Sequence, residues 1–259
     1  MGTSEIIISL VGGFFGGILN AFAGFGSIIT LAIYTDILGI AGHIANATNR
    51  VNVLASSSVS TYTFHKNGKL DIAGGKYIIV TVFLGAIVGV IMATQLDAEG
   101  FEHAFKKLLL LIFILLLSNP KRFINPKVDR KPISPYITMP VYFLLGIYAG
   151  FLQVGFGVVF LMVAVGMSRY NLVLGNGLKI GIVALYTIAV IMIFQYKGMI
   201  IWKMGLLLSI GQAVGGYVAS TKMTQMEGAN RYAYYILVLI VGLVIVKKFE
   251  LWKLLVNLI

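Results

Sequence analysis

The stretch IIISLVGGFFGGILNAFAGFGSIITLAIYTDILG, residues 6–39, decides the fold. It is almost wholly apolar, and a helix rising 1.5 Å per residue needs only about 20 such residues to cross a hydrocarbon core of about 30 Å. The run is too long for one straight crossing, so it must tilt, break or fold back. A break has a natural place in Asn20-Ala-Phe-Ala-Gly24-Phe25-Gly26-Ser27, where small residues fall at mid-membrane depth. Glycine costs about 1 kcal/mol per helix-interior position relative to alanine, so a cluster there favours interruption. Close helix packing through small residues is the alternative explanation.

Outward from this stretch, further apolar runs occupy residues 44–64, 73–95, 103–117, 137–168, 172–196, 199–221 and 231–247. The segment 137–168 is again too long for one crossing and holds Gln153-Val-Gly155-Phe156-Gly157. The Gly-Phe-Gly clusters are offset by 155 − 24 = 131, Asn46 and Asn176 by 176 − 46 = 130, and the pairs Gly85/Gly89 and Gly211/Gly215 by 211 − 85 = 126. This ordered near-constant spacing indicates an internal duplication. The expected fold is an all-α membrane protein, a multi-pass helical bundle of two homologous repeats with a broken or re-entrant first segment in each. Residues 1–117 form the first transmembrane repeat, 118–135 a basic cytoplasmic linker and 136–259 the second repeat.

Composition supports the class. Of 259 residues, 59% are hydrophobic and 11% charged, with a mean hydropathy of +0.94, far from a soluble domain. The absence of cysteine removes disulfides, thiolate metal sites and cysteine nucleophiles. The net charge of +11 comes from Lys and Arg in short loops between apolar runs, which reads as positive-inside topology rather than nucleic-acid binding. On that rule the loops at 65–69, 118–135, 197–203 and 247–253 are cytoplasmic, and the acidic loop with Asp97, Glu99 and Glu102 faces outside. Equivalent loops then share a side, which implies parallel repeats, with an inverted arrangement left open. A lipid bilayer is the implied environment and a homo-oligomer is left open.

The candidate site combines the two breaks with polarity inside runs 44–64 and 172–196. A half-helix N-terminus leaves N–H groups unpaired and carries about half a positive charge, so it attracts anions. Arg50 and Lys179 lie in the membrane runs without an evident carboxylate partner, and buried cations cost at least about 2.5–3.5 kcal/mol each. Snorkelling to the interface is the alternative for both. An anionic substrate explains the cations and the glycine clusters together. The expected substrate-binding set is Asn20, Gly24, Phe25, Gly26, Thr48, Asn49, Arg50, Gln153, Gly155, Phe156, Gly157, Asn176 and Lys179. His43, His65 and His103 are isolated, and no nucleophile–base pair or phosphate-binding loop occurs, so no enzyme, metal or cofactor is expected. A membrane scaffold packing through glycine faces is the rival reading.

Taken in order, the Gly-Phe-Gly cluster, Ala47-Thr48-Asn49, Lys66-Asn67-Gly68-Lys69, Gly85-Ala86-Ile87-Val88-Gly89, Gly175-Asn176-Gly177 and Lys179 carry a resemblance. The chain resembles the TauE/SafE sulfite exporter family of membrane permeases over nearly its whole length. The resemblance implies a multi-pass carrier in the cell (plasma or inner) membrane for sulfur-containing anions such as sulfite, sulfoacetate or other organosulfonates. It carries positions over only at residues 24–26, Thr48, Asn49 and their second-half counterparts. This sequence lacks the longer glycine run of the family pattern, and the proline that often comes after it.

Overall fold

The computed structural model describes residues 2–118 and 133–223 together with Leu239, Gly242, Ile245 and Val246. Among these residues the order is α1 (Thr3–Ala23), α2 (Gly26–Ala32) running into a π-helical turn (Ile33–Ile37), α3 (Gly42–Lys66), α4 (Ile72–Ala93), α5 (Ala98–Ser118), α6 (Pro135–Phe151), α7 (Phe156–Gly166), α8 (Leu172–Tyr196) and α9 (Trp202–Met223), with no strand. Three are both long and apolar enough to cross a membrane, within Thr3–Phe22, Ile72–Ala93 and Leu172–Tyr196. Most of the linker expected at 118–135, the last apolar run and the basic C-terminus lie outside the described residues.

At 25 residues α3 is about 38 Å long, yet it is too polar to count among the three. It buries Asn46, Thr48, Asn49, Arg50, Asn52, Ser56, Ser57 and Ser60 and is the polar centre of the bundle. The outer faces are apolar instead. Val80, Leu84, Val88 and Ile91 on α4, and Leu206, Ile210 and Val214 on α9, are exposed at spacings of three and four, a helical stripe suited to lipid.

Both long first segments break and fold back. α2 returns along α1, so that Gly26 lies on the Gly16 carbonyl and Gly12 on Ile33. α7 returns along α6, and the Ile133 N–H reaches the Met167 carbonyl at 2.9 Å. Glycine pairs spaced by four hold the longer helices together. Gly13 and Gly17 of α1 meet Leu208, Gln212 and Gly216 of α9, while Gly85 and Gly89 of α4 meet Phe143, Gly146 and Ile147 of α6. With no side chain between them, the backbones approach to contact, which is how apolar helices associate in lipid.

These contacts correct the expected sidedness. The loop after α3 meets the start of α8, with the Lys69 carbonyl against Gly177 and Asp71 accepting from the Tyr170 hydroxyl at 3.4 Å. The loop after α8 meets the start of α3 instead, the Ile201 N–H donating to Thr48 Oγ1 at 3.1 Å. The basic loops 65–69 and 197–203 therefore lie at opposite ends of the bundle. The reason is that α2 and α7 return to the end from which α1 and α6 set out, so neither hairpin counts as a crossing. Single cysteines at Asn67 and Gly198 should accordingly be reached by a membrane-impermeant thiol reagent from opposite faces of the membrane. Labelling of both from one face would restore the parallel reading.

Candidate functional site

The breaks are local consequences of sequence. α1 closes on Gly24 in the left-handed region, φ 74°, with its N–H on the Asn20 carbonyl at 2.9 Å. In the second half Gly155, φ 80°, takes the same conformation and opens α7 without a side-chain cap. Gln153 is also left-handed, φ 67°, and a non-glycine residue held there costs about 1–2 kcal/mol. The two breaks touch: a methyl group at Gly24 would sit 2.6 Å from Gly157 Cα and 2.8 Å from its nitrogen.

At this junction lies a small cavity lined by Asn20, Gly24, Gln153, Phe156, Gly157 and Lys179 with Ser56, Ser57 and Ser60 of α3. Lys179 is 1% exposed, and its ammonium makes one long bond, 3.4 Å, to the Ala21 carbonyl at the end of α1. Three N–H donors on one carbonyl leave capacity unused. Ser56 Oγ is buried without a partner. A buried ammonium, free hydroxyl capacity and the uncapped start of α7 meet here, and among the described residues no carboxylate approaches Lys179.

Six of the expected residues thus meet at the cavity: Asn20, Gly24, Gln153, Phe156, Gly157 and Lys179. Asn176 stands beside it, donating to the Ala21 carbonyl at 3.0 Å, and Gly155 supplies the turn. Phe25 and Gly26 lie behind it, in the core and against α1. Thr48 and Asn49 point elsewhere. Thr48 joins α3 to the loop before α9, and Asn49 Oδ1 accepts from Thr30 at 2.5 Å and Asn52 at 3.0 Å, in a buried chain that continues to Tyr34 and Gln212. The serines of α3 complete the lining; Ser56 and Ser60, four apart, form one helical face.

Arg50 requires a correction, because it does have partners. One terminal nitrogen donates to the Ala149 carbonyl at 2.9 Å and Gln153 Oε1 at 2.5 Å, the other to the Gly150 carbonyl at 3.0 Å and Asn46 Oδ1 at 3.5 Å. The end of a helix exposes carbonyls that no further turn satisfies and carries partial negative charge, so a guanidinium caps it well. Backbone carbonyls do not show in a search of the sequence for acidic partners.

A probable membrane transporter protein of Haemophilus influenzae is 24% identical over 230 residues, covering 88% of each chain. A probable membrane transporter protein, ORF9, of a Sinorhizobium species is 24% identical over 229 residues, 85% of this chain and 83% of that relative. The probable membrane transporter protein YfcA of Escherichia coli K12 is 22% identical over 204 residues, 79% and 75% of the two chains. No solved structure matches. The model of the family described as sulfite exporter TauE/SafE matches residues 9–245, nearly the whole chain and both halves of the cavity, so this multi-pass membrane protein belongs to the TauE/SafE family.

Proposed function

We propose that the protein is a secondary carrier or facilitator that moves a small sulfur-containing anion, such as sulfite or an organosulfonate, through the cavity at Lys179. The observation that carries this reading is a fully buried lysine with one long hydrogen bond and no carboxylate near it among the described residues, set where two helix breaks touch. An inside-negative potential favours anion exit by about 2.3 kcal/mol per unit charge per 100 mV, so export needs no further coupling.

The two halves are read as inverted copies around this site. The same offset relates the donors Asn46 and Asn176, 176 − 46 = 130, and their carbonyl acceptors Ala21 and Phe151, 151 − 21 = 130. It relates also the left-handed glycines just beyond α3 and α8, 198 − 68 = 130. Inverted repeats meeting at a midplane site suit alternating access, one half rocking against the other.

The rival scaffold reading needs glycine faces free for partner helices. In this chain the pairs on α1, α4, α6 and α9 are already used against one another, which favours the carrier. Purified protein should be stabilised against heat by its anion, and proteoliposomes loaded with sulfite, sulfoacetate or sulfate should show efflux. Lys179→Gln should keep its fold and lose about 1.5–3 kcal/mol of anion affinity, the range for a hydrogen bond to a charged group. Unchanged affinity in this variant removes the cavity as the site, and absence of anion binding in the parent favours the scaffold.

A further inference from the structure

The seam between α3 and α9 carries polarity that the Lys179 cavity does not use. Its contacts run in register from the middle of the bundle to one end. A Cβ built on Gly216 would lie 2.5 Å from Ser56 Oγ, Ser60 Oγ donates to the Gly216 carbonyl at 3.2 Å, and Asn52 Nδ2 donates to Gln212 Oε1. Nearer the start of both helices, a Cβ on Gly205 would lie 3.0 Å from Val51 Cβ and 3.4 Å from the Thr48 carbonyl. Ser56 and Ser60 line the cavity, and Thr48 holds the loop that precedes α9. Thr48, Asn52, Ser56 and Ser60, each four apart, therefore mark one face of α3. It leads from the cavity to the end that carries loop 197–203, about 12 Å from Ser56 to Thr48.

Midway along the seam stands a cluster of amides. Asn49 Oδ1 accepts from Asn52 Nδ2 at 3.0 Å and from Thr30 at 2.5 Å, and Asn52 Oδ1 accepts from Tyr34 at 2.8 Å. Asn49, Asn52 and Gln212 are 0% exposed, yet Asn49 Nδ2 and Gln212 Nε2 have no acceptor. A buried donor left unpaired costs about 1–3 kcal/mol. Helix packing does not demand that cost: at the offset of 182 − 52 = 130, α8 places Ile182 in an apolar core. Polar side chains kept inside a membrane protein mark the path of a polar solute. The spare N–H groups suit an oxyanion. Tyr34 closes the cluster from the side of α2, on a π-helical turn of the kind that recurs at functional sites.

We propose that the anion leaves the Lys179 cavity along the α3–α9 seam toward loop 197–203, and that the amides of Asn49, Asn52 and Gln212 are the gate on this route, which rests on the carrier reading above. In the structure the gate is shut, with Asn52 joined to Gln212 across the seam. When α9 parts from α3 that bond opens, and the three amides turn their N–H groups to the passing anion.

Leucine at both Asn52 and Gln212 keeps the bulk and removes both amides at once, while the Tyr34 hydroxyl retains the Met204 carbonyl at 3.5 Å. In proteoliposomes loaded with radiolabelled sulfite, this double variant should slow efflux on the order of tenfold or more, the effect of one hydrogen bond to a charged group. Equilibrium sulfite binding to the purified full chain should stay within about twofold of the parent, because neither residue lines the cavity. Thermal melting reports whether the variant folds. Parental efflux from the folded variant leaves the amides as plain helix glue and overturns the gate. Binding lost in step with efflux places them in the Lys179 site and overturns it as well. Val51→Cys keeps every amide and carries the test if the double variant does not assemble, since Val51 faces Gly205 across the seam and the parent has no cysteine. A membrane-impermeant thiol reagent should modify it from the face that carries Gly198. Modification from the face that carries Asn67, or from neither, overturns the route. A parent that neither binds nor releases sulfite, sulfoacetate or sulfate overturns the carrier reading itself, a result distinct from these.

Discussion

Arg50→Gln should lower the stability of the folded protein by about 3–5 kcal/mol, the loss typical when one partner of a buried charged contact is removed. The guanidinium spans from α3 to the end of α6 and joins the Ala149 and Gly150 carbonyls and Gln153 in one grip. Glutamine is too short to reach all three and carries no charge to match the helix end. Each acceptor left dry costs about 1–3 kcal/mol, and relief of the buried charge offsets only part of that sum. Sequence alone would have this variant fold and lose only anion binding; the carbonyl grip reverses that order for Arg50 and leaves it standing for Lys179. Thermal or denaturant melting in detergent is the measurement, and a midpoint equal to the parent's would mean that the grip contributes nothing.

Gly26→Leu should yield no folded protein, and Gly157→Leu should lose transport. A side chain on Gly26 would run into the Gly16 carbonyl and come within 2.8 Å of Asn20 Cβ, both on α1. Backbone cannot give way as a flexible side-chain end can, so the α1–α2 hairpin would have to open. The cost exceeds the usual 1–3 kcal/mol or so of overpacking. Gly157 lines the cavity at the first turn of α7 and its backbone lies against Gly24, so bulk there obstructs the approach of a ligand to backbone N–H groups and presses on the break of α1. Size-exclusion profiles with melting curves report the first effect and proteoliposome efflux the second. Parental flux in both variants would return the clusters to plain helix packing.

The membrane class, the helical segments and the positions of both breaks were legible in the residues themselves, because each depends on local properties. Apolar length decides whether a run can span, and glycine at Gly24 and Gly155 is the residue that tolerates a left-handed turn at no steric cost. Six residues that line the cavity stood out for the same reason, since they belong to the breaks or to a lysine out of place in an apolar run. The path of the chain beyond a break is not a local matter. Whether α2 continues across or doubles back depends on the small-residue face of α1 offered at Gly12 and Gly16, and on that choice rests the side on which every later loop emerges. Arg50 and Lys179 look alike in sequence, as lone cations in the early turns of two long helices. Tertiary structure separates them, because the carbonyls that end α6 lie about 100 residues away along the chain and close on Arg50, while the end of α1 offers Lys179 only one distant oxygen. A backbone carbonyl carries no residue name, so only the folded chain can show which cation it neutralises and which keeps unused donors.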